Sequence, residues 1–235
     1  MQTEIQRSLR PRLNLTRSLK HQNEYTLALT RDLADQAFDE ERSPLNKGKW
    51  RSDVFQTDQS RPLDLELGTG NGKHFAFRAN QFPERLIVGL ELKYKPLIQT
   101  IKGALRGGAK NARVCRFHAF DLPQIFDENE INNVYIHFPD PWVNPRKPQN
   151  RFVSAPVLTT LHGLQRAGSF LDFKTDSLEY FEWVLKEIPK DKYEIVRLTF
   201  DLHNSEWLQE NFVTQFESIF LRQKIKINYL RLKKI

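Results

Sequence analysis

From Leu63 onward the apolar positions fall into short runs cut by glycine, proline and charge, and the runs alternate between two periods. Leucine at every second position from Leu63 to Leu67 predicts a half-buried strand. Leu86 to Glu91, Arg113 to Phe117, Val134 to Phe138 and Ser169 to Lys174 predict the next four strands. The segments between them carry a helical period: Lys73 to Gln81, Tyr94 to Arg106, Ala155 to Gln165 and Leu178 to Glu187. In the third of these, Val157, Leu158, Leu161 and Leu164 share one face. Tyr193 to Phe200 and Ile225 to Leu232 predict two late strands, separated by a helical stretch from Trp207 to Phe216. Residues 1–50 read as a basic, polar extension with one modest helix, roughly Glu24 to Glu41, and a loop at Asn46-Lys47-Gly48-Lys49. The remainder, 51–235, reads as one domain.

Strands alternating with helices imply an α/β, doubly wound and mostly parallel sheet. The strand–helix–strand ending allows the last of seven strands to run antiparallel. At 235 residues one such domain with an appendage accounts for the chain. No apolar run approaches the roughly 18 residues needed to span a bilayer, so no membrane partner is expected. Met1 to Lys20 lacks the apolar core of a secretory signal, although its arginines leave a transit peptide open. The single cysteine, Cys115, excludes an internal disulfide and a cysteine-cluster metal site, so no metal is expected. A cytoplasmic location follows from this cysteine usage.

Charge changes the picture. The net charge is +7, and the excess is gathered into acid-free stretches. Arg7, Arg10, Arg12, Arg17 and Lys20 form one. Lys93, Lys95, Lys102, Arg106, Lys110, Arg113 and Arg116 form another, and the C-terminal residues from Arg222 to Lys234 a third. Such stretches fit a polyphosphate partner, while a solvated basic face without a partner is the plain alternative.

Three loops carry candidate chemistry. After the first strand come Glu66-Leu67-Gly68-Thr69-Gly70-Asn71-Gly72, a glycine turn opening onto a helix N-terminus. The spacing is neither the Gly-x-Gly-x-x-Gly of a dinucleotide fold nor a P-loop, since no Ser or Thr follows Lys73. The second strand ends in Glu91, where a carboxylate can accept hydrogen bonds from both hydroxyls of a ribose. The fourth strand ends in Phe138-Pro139-Asp140-Pro141-Trp142. Two prolines make this corner stiff and push the residues before them toward extended geometry, which fixes Asp140 at the rim where open α/β sheets bind ligands.

The glycine spacing preceded by an acid resembles motif I of class I S-adenosylmethionine-dependent methyltransferases. With Gly89-Leu90-Glu91, the Phe-Pro-Asp-Pro-Trp corner, Thr175-Asp176 with Tyr180, and Thr214-Gln215-Phe216-Glu217, the chain resembles the bacterial tRNA (guanine-N7)-methyltransferase family from about Leu63 onward. The resemblance implies a Rossmann-like class I methyltransferase fold, S-adenosylmethionine as cofactor, and tRNA as partner, with the methyl group going to N7 of the variable-loop guanosine 46. It implies cofactor contacts from Glu66, Gly68, Gly70, Gly72, Glu91, His118 and Asp140. Asp140 is also the catalytic candidate. Substrate contacts are implied for Asn144, Arg146, Lys147, Arg151, Asp176, Thr214, Gln215, Phe216 and Glu217. For Asp176 a helix N-cap is the alternative role, and for Thr214 and Glu217 solvation of a helix end. The chain departs from the family pattern where Asn144 replaces a usual lysine, where His118-Ala119 replace an acid, at Asn150-Arg151 in place of a basic pair, and at Ser177. A class I methyltransferase acting on another RNA base, or a non-catalytic RNA-binding protein of the same fold, are the alternatives. A nicotinamide dehydrogenase is disfavoured by the glycine spacing.

Overall fold

The computed structural model describes residues 14–142 and 150–235. Its centre is one sheet whose strands are β1 (Ala37–Phe38), β2 (Leu63–Leu67), β3 (Leu86–Leu90), β4 (Ala112–Cys115), β5 (Val134–His137), β6 (Phe170–Thr175), β7 (Tyr193–Thr199) and β8 (Asn228–Lys234). Their order across the sheet is β1-β4-β3-β2-β5-β6-β8-β7. All neighbours are parallel except β8, which runs antiparallel to both β6 and β7. The antiparallel strand expected at the chain's end is therefore present. It lies inside the sheet, between β6 and β7.

Six α-helices cover the sheet: α1 (Glu24–Thr30), α2 (Lys73–Gln81), α3 (Tyr94–Arg106), α4 (Ala155–Leu164), α5 (Leu178–Glu187) and α6 (Gln215–Arg222). One face carries a cluster in which Leu63, Leu65, Leu67, Val88 and Phe173 meet Leu158 and Leu161 of α4, Phe181 of α5 and the fully buried Trp50. On the other face, Ile87 and Val114 meet Leu29 of α1, Phe75 of α2, and Leu97, Ile98 and Ile101 of α3. Two apolar layers around one sheet are what the alternation of strand and helix periods requires.

Two segments differ from the sequence expectation. The first helix ends at Thr30, not near Glu41. Asn23 starts it with a capping box, its side chain accepting from Tyr25 and Thr26 N–H, and Arg31 leaves helical geometry at φ −127°, ψ −85°. Residues 37–38 then join the sheet as β1, an eighth strand beyond the seven expected, paired to β4. With Trp50 in the core as well, residues 14–50 and the rest of the chain share one hydrophobic interior. The second difference lies between β7 and β8. Glu206–Glu210 is a 3-10 turn capped by the Ser205 hydroxyl, and the regular helix begins only at Gln215, where Thr214 and Glu217 form a reciprocal capping box. Among the described residues, no helix is long and apolar enough to cross a membrane, and no group of His, Cys, Asp and Glu could hold a metal ion.

Candidate active site at the strand-order reversal

After β2 the chain moves outward through β3 and β4, then returns to place β5 on the other side of β2. The loops leaving β2 and β5 therefore diverge at the reversal, the place where open parallel sheets form a ligand crevice. Leu67 is in register with Ile136, and His137 with Lys174 of β6. The glycine turn, the Phe-Pro-Asp-Pro-Trp corner and Asp176 consequently leave the sheet at one rim, beside Glu91.

The three glycines of the first turn all have left-handed φ, at 74°, 54° and 74°, so each needs the freedom that glycine has. Their surroundings separate them. A Cβ at Gly72 would stand 2.5 Å from the Thr100 backbone of α3, so Gly72 serves the close packing of α2 on α3. Cβ positions at Gly68 and Gly70 meet nothing within 4 Å. Those two leave backbone bare at the crevice. Thr69 fastens the turn through its hydroxyl, 3.0 Å from that of Thr100.

Glu91 Oε2 accepts from Gly70 N–H at 3.2 Å, and Oε1 accepts from Lys93 N–H at 3.0 Å. The carboxylate is half-buried and held by two backbone donors, with lone pairs left over for a ribose. His118 lies beyond the end of β4 on the same rim. Its Nδ1 accepts from Phe120 N–H at 3.4 Å and its ring stacks on Phe120. Glu66 Oε2 is 2.8 Å from His74 Nδ1, and both side chains are buried, so the carboxylate also holds the first turn of α2 under the glycine loop.

The corner after β5 is stiffer than prolines alone make it. Phe138 and Trp142 have φ of 53° and 42°, left-handed values that cost a bulky residue about 1–3 kcal/mol each. Phe138, expected to be extended because it precedes proline, is held there instead. Its N–H donates to the Lys174 carbonyl at 2.8 Å, and its ring packs on Phe220 of α6. Asp140 is exposed at the apex, with Oδ1 accepting from Trp142 N–H at 3.1 Å. Trp142 is itself 44% exposed.

Arg151 is not a surface cation awaiting phosphate. Only 3% exposed, it donates through Nε to the Pro141 carbonyl at 3.1 Å and through a terminal nitrogen to Glu179 at 2.6 Å. It also lies over the rings of Tyr180 and Trp183. Asn144, Arg146 and Lys147 lie outside the described residues.

Asp176, at the end of β6, is released from the capping role: the Ser177 hydroxyl caps α5 by accepting from Tyr180 N–H. Partial burial raises the Asp176 carboxyl above its usual range. The Thr214–Glu217 segment divides. Glu217 is fully buried, its carboxylate accepting from Thr214 N–H, from Lys174 Nζ at 2.8 Å and from Asn211 Nδ2 at 2.6 Å, with His203 Nε2 at 2.8 Å. Burial alone would push its pKa up, but Lys174, Asn211 and His203 together keep the carboxyl below its usual range. Thr214 and Glu217 thus build the helix start as a reciprocal capping box, with the Glu217 carboxylate turned into the interior. Gln215 and Phe216 are exposed on that start. Gln215 Oε1 accepts from the Asn71 amide of the glycine loop, and Phe216 is 57% exposed. α6 therefore bridges the glycine loop, through Gln215 at its start, and the proline corner, through Phe220 near its end.

Sequence reasoning missed Lys174, which joins β6 to α6, and Asn71, which joins the loop to Gln215. For Lys174 the signal was present: Asp172 and Lys174 alternate with buried Leu171 and Phe173, a polar face in a strand with no solvent side.

Residues 60–230 match a family model described as "Putative methyltransferase". The tRNA (guanine-N(7)-)-methyltransferase of Bdellovibrio bacteriovorus is 58% identical over 209 residues, covering 89% of this chain and 100% of that protein. The enzyme of the same name from Bacillus subtilis is 30% identical over 174 residues, 74% of this chain and 80% of that protein. Among solved structures, the 16S rRNA methyltransferase KamB superposes with a TM-score of 0.57 at 18% identity, over 78% of this chain and 94% of that one. An antibiotic-related methyltransferase gives 0.55 at 20% identity, over 75% and 89%. These structural likenesses establish the class I methyltransferase fold. With that fold, a glycine turn open at Gly68 and Gly70, and an exposed Asp140 on the neighbouring loop, the sequence relationship is decisive: the chain belongs to the tRNA (guanine-N7)-methyltransferase family.

Proposed function

We infer that this chain transfers a methyl group from S-adenosylmethionine to N7 of guanosine 46 in the variable loop of tRNA. The observation that carries the reading is the meeting of three elements at the strand-order reversal: the open glycine turn, the Asp140 corner and helix α6, which bridges them through Gln215 and Phe220.

The residues present fit the cofactor. Gly68 and Gly70 allow close backbone approach, and Glu91 offers a fixed carboxylate to ribose hydroxyls. His118, past the end of β4 on the same rim, is the candidate neighbour of the adenine. S-adenosylmethionine supplies an electrophilic methyl group on a sulfonium. Guanine N7 has an in-plane lone pair and no proton, so the chain needs no general base. Its residues have to align the acceptor and exclude water, for which orientation is the main gain. Asp140, on a corner locked by two left-handed residues, presents its carboxylate where the guanine ring acquires positive charge. The same carboxylate can accept from the guanine amino edge. Phe216 offers an exposed ring to an unstacked base, and Asp176 a second carboxylate for the nucleoside. A tRNA substrate places the chain in the cytoplasm.

Asp140→Ala tests the assignment. Methyl transfer to an unmodified tRNA transcript should fall by about 10²–10³, while calorimetric binding of S-adenosylmethionine persists. Near-normal turnover would remove Asp140 from the chemistry. Cleavage specific for 7-methylguanosine reads out the modified position.

A further inference from the structure

Helices α2 and α3 lie side by side, and the groove between them is basic. Lys73 and Ala76 of α2 face Lys102, Gly103 and Arg106 of α3 across an open groove of about 540 Å³, and Asn71 lines its end at the glycine loop. Lys95, Gln99, Lys102 and Arg106 fall on one face of α3, over about 16 Å of its length. Lys73, Lys95, Lys102 and Arg106 are all exposed, and none of the four has an ion-pair partner among the described residues. No acid lines the groove. A cation with a structural task on the same helices is paired instead: Arg78 of α2 lies 3.5 Å from Asp64.

Stability does not call for this arrangement. Neither helix has an acid in its first turn, where Lys73 and Lys95 stand against the helix dipole. Lys102 and Arg106 are four residues apart, a like-charge spacing that weakens a helix. Gly103 sits in the interior of α3, where glycine is a poor helix former. A Cβ there would meet only the Ala76 methyl at 3.8 Å and an Arg106 nitrogen at 4.0 Å, so packing has room for alanine. The three choices share one result, a positive groove with bare backbone along it.

A phosphate backbone matches that groove. A guanidinium such as that of Arg106 can hold a phosphate through two parallel hydrogen bonds, and lysines meet it as point charges. The position of the groove fits as well. Asn71 at its end is bonded to Gln215 at the start of α6, and α6 packs on Phe138 of the Asp140 corner. An RNA strand offered to that corner finds a basic track leading away from it. We propose that the α2–α3 groove binds the phosphate backbone of the tRNA presented to the Asp140 corner, with Lys73, Lys95, Lys102 and Arg106 as its contacts and Gly103 allowing close approach. The proposal rests on tRNA being the substrate.

The test compares the full chain with Lys95→Gln/Lys102→Gln/Arg106→Gln, three exposed positions outside the core. The dissociation constant for an unmodified tRNA transcript is measured over a range of salt, and that for S-adenosylmethionine by calorimetry. Loss of three phosphate contacts should make the logarithmic salt slope shallower by about 2–3. Cofactor affinity should stay the same. The control Lys186→Gln/Lys190→Gln removes exposed cations at the far end of α5 and should preserve the slope. Gly103→Ala should raise the denaturation midpoint and yet lower tRNA affinity several-fold. An unchanged slope in the triple variant overturns the groove, as does an equal fall per charge in the control. Unchanged tRNA affinity in Gly103→Ala overturns the close approach. If the unaltered chain fails to methylate tRNA, the functional reading fails instead, which separates the two results.

Discussion

Arg151 Nε donates to the carbonyl oxygen of Pro141 at 3.1 Å, and through this bond a buried guanidinium holds the residue next to Asp140. The bond gives Arg151 a positioning task that its place in a basic stretch conceals. Arg151→Lys keeps the charge and loses the fork that reaches Pro141 and Glu179 together. Turnover at saturating tRNA should fall by about 10–100-fold, because small displacements of an aligned site are costly. The KM for tRNA should change little. Steady-state kinetics with circular dichroism as a folding control provide the check; a raised KM with normal turnover would return Arg151 to phosphate binding.

The glycine turn should respond position by position. Gly72→Ala forces a methyl group against the Thr100 backbone in a left-handed conformation, and a loss of about 3 kcal/mol or more in stability is expected. Gly70→Ala meets no neighbour, so its stability cost should be about 1–2 kcal/mol. Its larger effect should be a weakened S-adenosylmethionine affinity. Denaturant melts and calorimetry on the two variants separate packing from ligand approach.

The Lys174–Glu217 pair should behave as a fold element. Removing one partner, as in Glu217→Gln, leaves the buried Lys174 ammonium uncompensated and should destabilise by about 3–5 kcal/mol. Lys174→Met combined with Glu217→Gln should recover part of that loss. A double-mutant cycle measures the coupling. If Glu217→Gln raised the KM for tRNA without affecting stability, the buried placement would be contradicted.

His137 predicts a pH effect. Burial first, then Lys174, His74 and Arg78, lower its pKa well below 6.5, and its Nδ1 has no hydrogen-bond partner among the described residues. As pH falls below the unfolded value of about 6.5, the unfolded chain takes up a proton that the folded chain refuses. Stability should therefore decline with acid, by at most about 1.4 kcal/mol per pH unit from this group. The decline continues until the lower folded pKa is passed. His137→Asn should show a flatter profile between pH 6.5 and 5 in urea titrations, and identical profiles would refute the assignment.

What could be read along the chain was whatever depends on near neighbours. Leu63 to Leu67, Lys73 to Gln81, Tyr94 to Arg106 and Leu178 to Glu187 were legible to the residue because their periods and flanking turns are local. The rim positions of the glycine turn, Glu91 and Asp140 were legible because glycine spacing and strand ends are local too. The first helix was misjudged because Asp39 and Glu40, which look like helix surface, are bound by Arg17, Thr16 and Arg116 across long separations. Glu66, Arg151 and Glu217 make structural contacts that the sequence conceals for the same reason. A charged side chain declares its type in the sequence, but its partners His74, Pro141 and Lys174 are set by the sheet order.

The position of β8 bears on how this protein is made. β7 has only β8 as a sheet neighbour, and β8 is also the second neighbour of β6. On the ribosome, residues 193–199 emerge before the strand that must enter between them and β6. The newborn chain therefore leaves the facing edges of β6 and β7 unpaired until residues 228–234 arrive. The same insertion supplies the partners of a buried acid, since Tyr229 and Arg231 donate to Asp172 beside Lys174. A product stalled before β8 would therefore leave Asp172 without these donors and the facing edges of β6 and β7 open to other chains.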